Sequence, residues 1–512
     1  MNPHAHAIPW SELHRSKEHV NLLLSGMTPH IVQARWFGGK AYQLKHVMCD
    51  HVLHFPFEDQ LFMLVIIEVA YVDHPLEYYF FPWACVKRSE VGNAVVLADW
   101  SEQEVIVDAV SCQSFHRAMF DHIIGNRQLT TTPGRLKFDC GTGLNTSQTY
   151  LNSRNPGVDQ SNSSIFFNDK YFMKIYRKLF LETNPEVEML KQLTEQGHYS
   201  HVPAYRGSLI WERKGTLPVT LALMMYKIDA TRDNWTTTGD ELNDFLHAFI
   251  DGRFSIHEFV FEHVELLAKR TAEMHKALAI ATRNKDFKVE KFSPEYRQWL
   301  FHHLRDLIDG RMALLKRSLP HLDAEARSMA EFFIARRGVI LKFFERIQRV
   351  PLKSLRTRIH GDFHLGQVLY TGGDFVIIDF EGEPESSIAE RKIKHSPLKD
   401  VAGMIRSFHY AVSAKLFFSA ETSEMDREKL QKAADRWFYL IRETFTETYL
   451  KELGPDQKLF ASKAELNFLF LLHLLEKAIY EVGYELNGRP DWLKIPLKGV
   501  LQVINELEKY ES

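Results

Sequence analysis

Along the first hundred residues the apolar positions come in short, dense runs. Val47–His54, Leu61–Tyr71 and Tyr78–Val86 are rich in β-branched and aromatic residues and are broken by Asp, His and Pro, a pattern that predicts strands. A break follows around Ala98–Glu104. Val105–Asn126 then reads as a helix, and Thr130–Asp159 as a loop-rich stretch of Gly, Thr, Asn and Ser. Two more strands, Ser164–Phe167 and Tyr171–Tyr176, are joined by the turn residues Asn168-Asp169.

From Asn184 the period changes. Pro185 suits a first helical position, and Val187, Leu190 and Leu193 recur at helical spacing across Glu186–Glu195. Val219–Ile228 is one further strand. Beyond it, Thr238–Ala279, Pro294–Lys316, Asp323–Arg349 and Arg427–Leu450 are amphipathic helical stretches, interrupted by one β segment, Val368–Phe380. The last helix is expected at Lys463–Leu486, stopped by Asn487-Gly488 and Pro490. This is an α+β plan: an N-terminal cap (1–100), an intermediate mixed part (101–228) and a large helical part (229–512).

Composition narrows the function. The chain has 512 residues, 45% hydrophobic and 25% charged, which excludes wholesale disorder. A net charge of −3 gives no case for nucleic acid or an anionic membrane surface as partner. Leu61–Ala70 is too short to cross a bilayer, and Glu68 interrupts it. Residues 1–40 lack the basic-then-apolar pattern of a signal peptide. Cys49, Cys85, Cys112 and Cys140 form no C-x-x-C and read as reduced thiols of a cytoplasmic protein.

Chemistry concentrates in Arg358–Pro384. His360, Asp362 and Gln367 form H-x-D-x-x-x-x-Q, and a hairpin then delivers Asp379. A loop carboxylate can accept a hydroxyl proton while an amide oxygen and a second carboxylate hold Mg²⁺ on ATP. Kinase catalytic loops space Asp, Asn and a metal-binding Asp in this way, with Gln here in place of Asn. His360 belongs to the same loop, chiefly as a packed histidine bonded to loop backbone rather than as a proton carrier. An ATP lobe is readable upstream. Lys174 on its strand pairs with a helix acid, Glu188 by preference and Glu186 as the alternative, to clamp the α/β-phosphates. Gln160, Ser161, Asn162, Ser163 and Ser164 would cover the phosphates in place of a Gly-rich loop, with Gly141-Thr142-Gly143 a weaker candidate. Met225, Tyr226 and Ile228 would offer backbone to adenine.

These residues resemble the bacterial maltokinases, ATP:maltose 1-phosphotransferases of bilobal aminoglycoside-phosphotransferase-like fold. The likeness is carried by RWFGGK (35–40), Gln160–Glu188, Arg358–Ala411 with HGDFHLGQ and DFEGEP, and Glu476–Pro496. It implies Asp362 as catalytic base, Gln367 and Asp379 as Mg²⁺ ligands, and Lys174 with Glu188 as the clamp. It also implies maltose and ATP as substrates, and a trehalose synthase acting in trans as partner, since the chain has no room for a fused one. An alternative acceptor on the same fold is glucosamine or an aminoglycoside. A silent nucleotide-binding scaffold is the non-enzymatic rival, opposed by the intact Asp362, Gln367 and Asp379. The extra helical length at 283–356 has no readable function.

Acceptor candidates come from helical spacing. His473, Lys477, Tyr480 and Tyr484 share one helix face, where rings could stack on a sugar. Arg406 is added as a residue facing either the catalytic loop or a surface ion pair, while Glu481 and Glu485 read as exposed acids. Ser396-Pro397 starts a helix, with Asp400 in a structural role. Trp36 and Phe37 are expected to plug the cap, with Gly38-Gly39 as a turn.

Overall fold

The computed structural model describes residues 8–92, 94–156, 161–418, 422, 425–455 and 458–511. The chain divides into two compact units, residues 1–195 with 203–228, and residues 196–202 with 229–512.

The first unit holds two antiparallel sheets. Helix α1 (Lys17–Gln33), which the sequence reading did not anticipate, is followed by β1 (Leu44–Phe57), β2 (Gln60–Tyr71), β3 (Glu77–Lys87), β4 (Val96–Asp99) and β5 (Glu104–Asp108), in the order β1-β2-β3-β5-β4. The expected helix Val105–Asn126 is thereby corrected. Val105, Ile106 and Val107 are fully buried and pair with β3, so the β-branched run goes to the sheet, and helix α2 begins only at Gln113 and ends at Ile124. Trp36 and Phe37 are buried in the core of this sheet, with Trp36 5.6 Å from Phe81, and Gly38-Gly39 opens a short 3-10 turn.

The second sheet is built from β6 (Gln128–Thr130), β7 (Arg135–Cys140), β8 (Ser153–Arg154), β9 (Asn162–Phe167) and β10 (Tyr171–Tyr176). After β11 (Lys178–Leu179), which joins β3, and helix α3 (Pro185–Lys191), it is completed by β12 (Tyr205–Glu212) and β13 (Val219–Tyr226). The order is β6-β7-β12-β13-β10-β9-β8. Strands β7 and β12 were not expected, and the first lies in the stretch read as loop. Asn168 and Asp169 both take positive φ, 52° and 51°, as a tight hairpin turn between β9 and β10 demands.

The second unit is mainly helical. It contains β14 (Arg232–Asp233), α4 (Asn234–Ile250), α5 (Glu258–Leu278), β15 (Glu290–Lys291), α6 (Pro294–Ser318), α7 (Ala324–Ala335), α8 (Arg337–Arg349) and β16 (Leu355–Arg356). The hairpin β17 (Val368–Tyr370) and β18 (Phe375–Ile377) follows. It is succeeded by α9 (Ile388–Arg391), α10 (Leu398–Phe418), α11 (Arg427–Leu453), α12 (Lys463–Gly488) and α13 (Lys494–Glu511). Two long predicted helices are each split, at residues 251–257 and at Arg336. Helix α12 is not the last: Pro490 does stop it, but a turn at Pro490–Trp492 restarts the chain as α13. No described helix is long and apolar enough to cross a membrane.

Candidate active site

In the first unit, Asn184 caps α3 by accepting from the Glu186 N–H (2.8 Å), and Pro185 takes the first helical position. This fixes the helix phase so that Glu186 is buried against β10. Lys174 Nζ lies 3.0 Å from Glu186 Oε2, which also accepts from Tyr176 Oη at 2.8 Å. The ion pair seen is therefore with Glu186, which corrects the preference for Glu188. Alternation along β10 places Lys174 and Tyr176 on one face, toward α3.

The phosphate-loop candidates separate on the same grounds. Ser163 is 1% exposed, and its hydroxyl accepts from Arg177 Nε (2.7 Å), a guanidinium that also binds Asp108. Ser163 is thus a structural residue and is corrected out of the phosphate set. Ser164 pairs with Lys174 and Asn162 with Tyr176 across the β9–β10 ladder, and Ser161 is exposed. Gln160 lies outside the described residues. In the Gly141–Gly143 turn the Thr142 N–H is already taken by Glu195 (2.7 Å). Met225 is buried in β13, the Tyr226 N–H donates to Ala204 O (2.8 Å), and Ile228 lies past the strand. Of the three, only Ile228 keeps its backbone beyond the ladder.

In the second unit the catalytic-loop candidates are gathered by one buried carboxylate. Asp400, 1% exposed, accepts from the N–H of His360 (2.8 Å) and of Gly361 (2.9 Å), and His275 Nε2 lies 3.1 Å away. Burial pushes its carboxyl up, but these donors outweigh burial and hold it below the usual carboxylate range. The structural role expected for Asp400 is therefore a specific one: it holds the loop. His360 is 1% exposed and bonds Ile378 O through Nε2 (2.9 Å). It is a packed loop-positioning histidine, and its inclusion among catalytic groups is corrected. Gly361 and Gly382 both have positive φ and approach so closely that a Cβ on Gly361 would lie 3.3 Å from Gly382 Cα. The hairpin is tied to α5 by the two-pronged Arg270–Asp374 ion pair, both contacts 2.7 Å.

Asp362 stands at the end of this frame. Its Oδ1 is 3.2 Å from Lys477 Nζ, which is also 3.4 Å from Glu383 Oε1. Burial pushes the Asp362 carboxyl up, while Lys477, His364 and His360 together bring it below the usual carboxylate range. Burial pulls the Lys477 ammonium down, and Asp362 and Glu383 more than reverse this. Gln367 and Asp379 are adjacent, with Gln367 Nε2 3.1 Å from Asp379 Oδ2. A carboxylate and an amide that presents oxygen when turned over form a hard-donor set that fits Mg²⁺.

A cavity of about 200 Å³ opens beside this loop. Its walls are Gly361 and Phe363 of the loop, Glu383 and Glu385 after the hairpin, Glu390 of α9, Lys399 and Gly403 of α10, and His303, Leu307 and Arg311 of α6. From α12 it takes His473, Glu476, Lys477 and Tyr480. Of the four residues that share a helix face by spacing, His473, Lys477 and Tyr480 line the cavity, while Tyr484 is 53% exposed and outside it. Arg406 is also corrected. It is 3% exposed and bonds Glu481 Oε2 through Nε (2.9 Å) and Nη2 (2.7 Å), a buried pair that locks α10 to α12. Glu481 and Glu485 are accordingly buried, not exposed. Sequence reasoning missed Lys399, Glu383, Glu476 and the whole α6 wall. The last comes from the helical excess at 283–356, whose amphipathic pattern gave no hint of a site.

Comparison with known proteins bears on this geometry. Residues 154–382 match the Phosphotransferase enzyme family. A glucosamine kinase of Streptacidiphilus jiangxiensis is 22% identical over 346 residues, 66% of this chain and 70% of that protein. A glucosamine kinase of Mycolicibacterium smegmatis (strain ATCC 700084 / mc(2)155) is 26% identical over 390 residues, 74% of this chain and 86% of the other. The structure of a glucosamine kinase in complex with glucosamine, ADP and inorganic phosphate has a TM-score of 0.67 at 16% identity, covering 97% of this chain and 99% of that one. The structure of a glucosamine kinase in crystal form B gives 0.68 at 17%, with 97% of this chain and 100% of that one covered. The fold is the bilobal aminoglycoside-phosphotransferase-like kinase fold, as the sequence motifs implied.

Proposed function

With residues 154–382 a phosphotransferase-family segment in a kinase fold, we propose that the chain transfers the γ-phosphoryl group of ATP to a hydroxyl of a single-ring amino sugar, glucosamine being the first to test. The observation that carries this reading is the cavity beside Asp362. It is small against the roughly 300–1,000 Å³ typical of ligand pockets, so it suits one ring better than two. Its wall holds Glu383, Glu385, Glu390 and Glu476 against Arg311, Lys399 and Lys477, an acidic excess that suits an ammonium group. The relatives named glucosamine kinase support the same acceptor class.

In this reading Asp362, kept ionised by Lys477, takes the hydroxyl proton late, as the new P–O bond forms. Lys174, held by Glu186, orients the nucleotide phosphates. Asp379 and Gln367 would hold Mg²⁺, which when bound neutralises charge on the phosphates. Asp400 and His360 keep the loop that carries Asp362 in place.

Maltose is the second reading, favoured by RWFGGK, HGDFHLGQ and DFEGEP, and it would bring a trehalose synthase in trans as supplier. One panel separates the two. The chain is incubated with ATP, Mg²⁺ and glucosamine, maltose, glucose or kanamycin, and ³¹P NMR identifies the product. Faster turnover of maltose than of glucosamine overturns the amino-sugar assignment. No ADP above background with any acceptor overturns the kinase reading.

A further inference from the structure

Among the described residues two side chains of the cavity wall have a buried nitrogen without a hydrogen-bond partner, Arg311 at Nε and His473 at Nε2, and of these only the histidine can accept a hydrogen bond. It sits on α12 and is 1% exposed. Its Nδ1 is 2.7 Å from Glu476 Oε2. Glu476 is itself buried, and its other oxygen is 3.0 Å from Lys399 Nζ. An ionised carboxylate only accepts hydrogen bonds, so Nδ1 carries the proton, and in that tautomer Nε2 is the ring nitrogen that holds the lone pair. Among the described residues nothing hydrogen-bonds to that Nε2, although it is buried. Buried polar atoms are nearly always paired in native proteins, and an unpaired one in a pocket wall marks a place for a ligand atom.

The two lysines of this wall are engaged with carboxylates. Lys477 is held by Asp362 and Glu383, and Lys399 by Glu476. We propose that His473 is a specificity-determining residue of the acceptor cavity: through Nε2 it accepts a hydrogen bond from one hydroxyl or ammonium of the sugar, with Glu476 and Lys399 fixing the tautomer that makes this possible. The proposal rests on the reading of this cavity as an acceptor site. It predicts discrimination by loss. A sugar whose matching donor is deleted leaves the histidine unpaired, a stronger penalty than a lost apolar contact.

The test is equilibrium binding, so that it does not depend on turnover. Glucosamine and each of its monodeoxy and deamino analogues are titrated into the full chain and its variants by calorimetry. His473→Ala should weaken glucosamine by about tenfold or more. One analogue should bind the wild type as weakly as glucosamine binds the variant, and the variant should not distinguish the two. His473→Gln, whose amide oxygen reaches the Nε2 position, should recover part of the affinity. ATP affinity should stay within about twofold in both variants, which a merely structural role would not guarantee. If His473→Ala and His473→Gln keep the wild-type pattern across the analogues, the inference fails and the kinase reading stands. If the predicted pattern is found but no sugar is phosphorylated, the kinase reading fails and this inference stands. If the wild type binds none of the sugars, this inference and the amino-sugar assignment both fail.

Discussion

Lys174 and Lys477 are both paired with carboxylates, and their surroundings differ in a way that separates two kinds of support for the proposed reaction. Lys174 and Glu186 are twelve residues apart, on a strand and on the first turn of the next helix. Glu186 is braced by Tyr176 and its helix by the Asn184 cap. Lys477 reaches back 115 residues to Asp362 and 94 to Glu383. The two lysine side chains are similarly buried, 14% and 17% exposed. What differs is the acid each one meets. Glu186 has no part in proton transfer, so its pair supplies position. Asp362 is the candidate base, so Lys477 sets the charge of the reacting group itself.

The largest effect should come from removing the base on which this contrast rests. Asp362→Asn keeps the shape and loses the proton acceptor, and should cost roughly 10²–10⁴-fold in kcat. KM for ATP should change by less than about threefold. Retention of a tenth of the wild-type rate in a steady-state assay would remove Asp362 from the base role.

Breaking the clamp comes next. Lys174→Met should lower kcat by roughly 10–100-fold through lost phosphate orientation, without moving the pH profile. Glu186→Gln should lose activity in the same direction but less, and Glu188→Gln should stay within about twofold, because the observed pair is with Glu186. Equal losses from the two glutamine variants would restore the choice between them.

Breaking the other pair should change the pH dependence. Lys477 is the largest of the influences that draw the Asp362 carboxyl below the usual range against burial. A lowered pKa keeps the base ionised to more acidic pH. Lys477→Met should therefore raise that pKa and shift the acid limb of log(kcat/KM) toward neutral pH, so that activity is lost at a higher pH than in the wild type. Loss of rate at all pH values with an unmoved acid limb would make Lys477 a positional residue like Lys174.

The contrast also explains what the sequence could show. Asp362, Gln367 and Asp379 lie in one segment, so loop and hairpin spacing exposed them together. Lys174 was legible because a strand, a turn and a capped helix follow one another. Even there, the choice between Glu186 and Glu188 depended on helix phase, which Asn184 sets through a hydrogen bond that composition does not reveal. The cavity proposed for the acceptor draws on α6, α9, α10, α12 and two loops, and the pairings that hold it span long stretches of chain: Lys399 with Glu476 in its wall across 77 residues, and Arg406 with Glu481, which locks α10 to α12 behind it, across 75. Nothing local distinguishes a buried, paired Glu481 from a solvated one. In the same way nothing local separates Val105–Val107 from the helix that follows, because its burial comes from pairing with β3, a non-local event.

The smallest effect tests how far a helical face extends as a site. His473, Lys477, Tyr480 and Tyr484 share a face of α12 by spacing alone, and periodicity gives no reason to treat the two tyrosines differently. The structure does. Tyr480 lines the cavity, with Lys477 Nζ 5.0 Å and the Arg311 guanidinium 5.6 Å from its ring centroid. Tyr484 is 53% exposed and has Arg489 5.7 Å from its ring. A ring in the pocket wall close to both cations helps seat Lys477 beside Asp362 and shapes the cavity. Tyr480→Ala should therefore raise KM for the acceptor by about tenfold, leaving KM for ATP nearly unchanged. Tyr484→Ala removes an exposed ring and should change either KM by less than about twofold, with stability within about 0.5 kcal/mol in thermal unfolding. If Tyr484→Ala raises the acceptor KM as much as Tyr480→Ala, the acceptor extends along α12 beyond the cavity. A longer ligand such as a disaccharide would then regain its claim on the site.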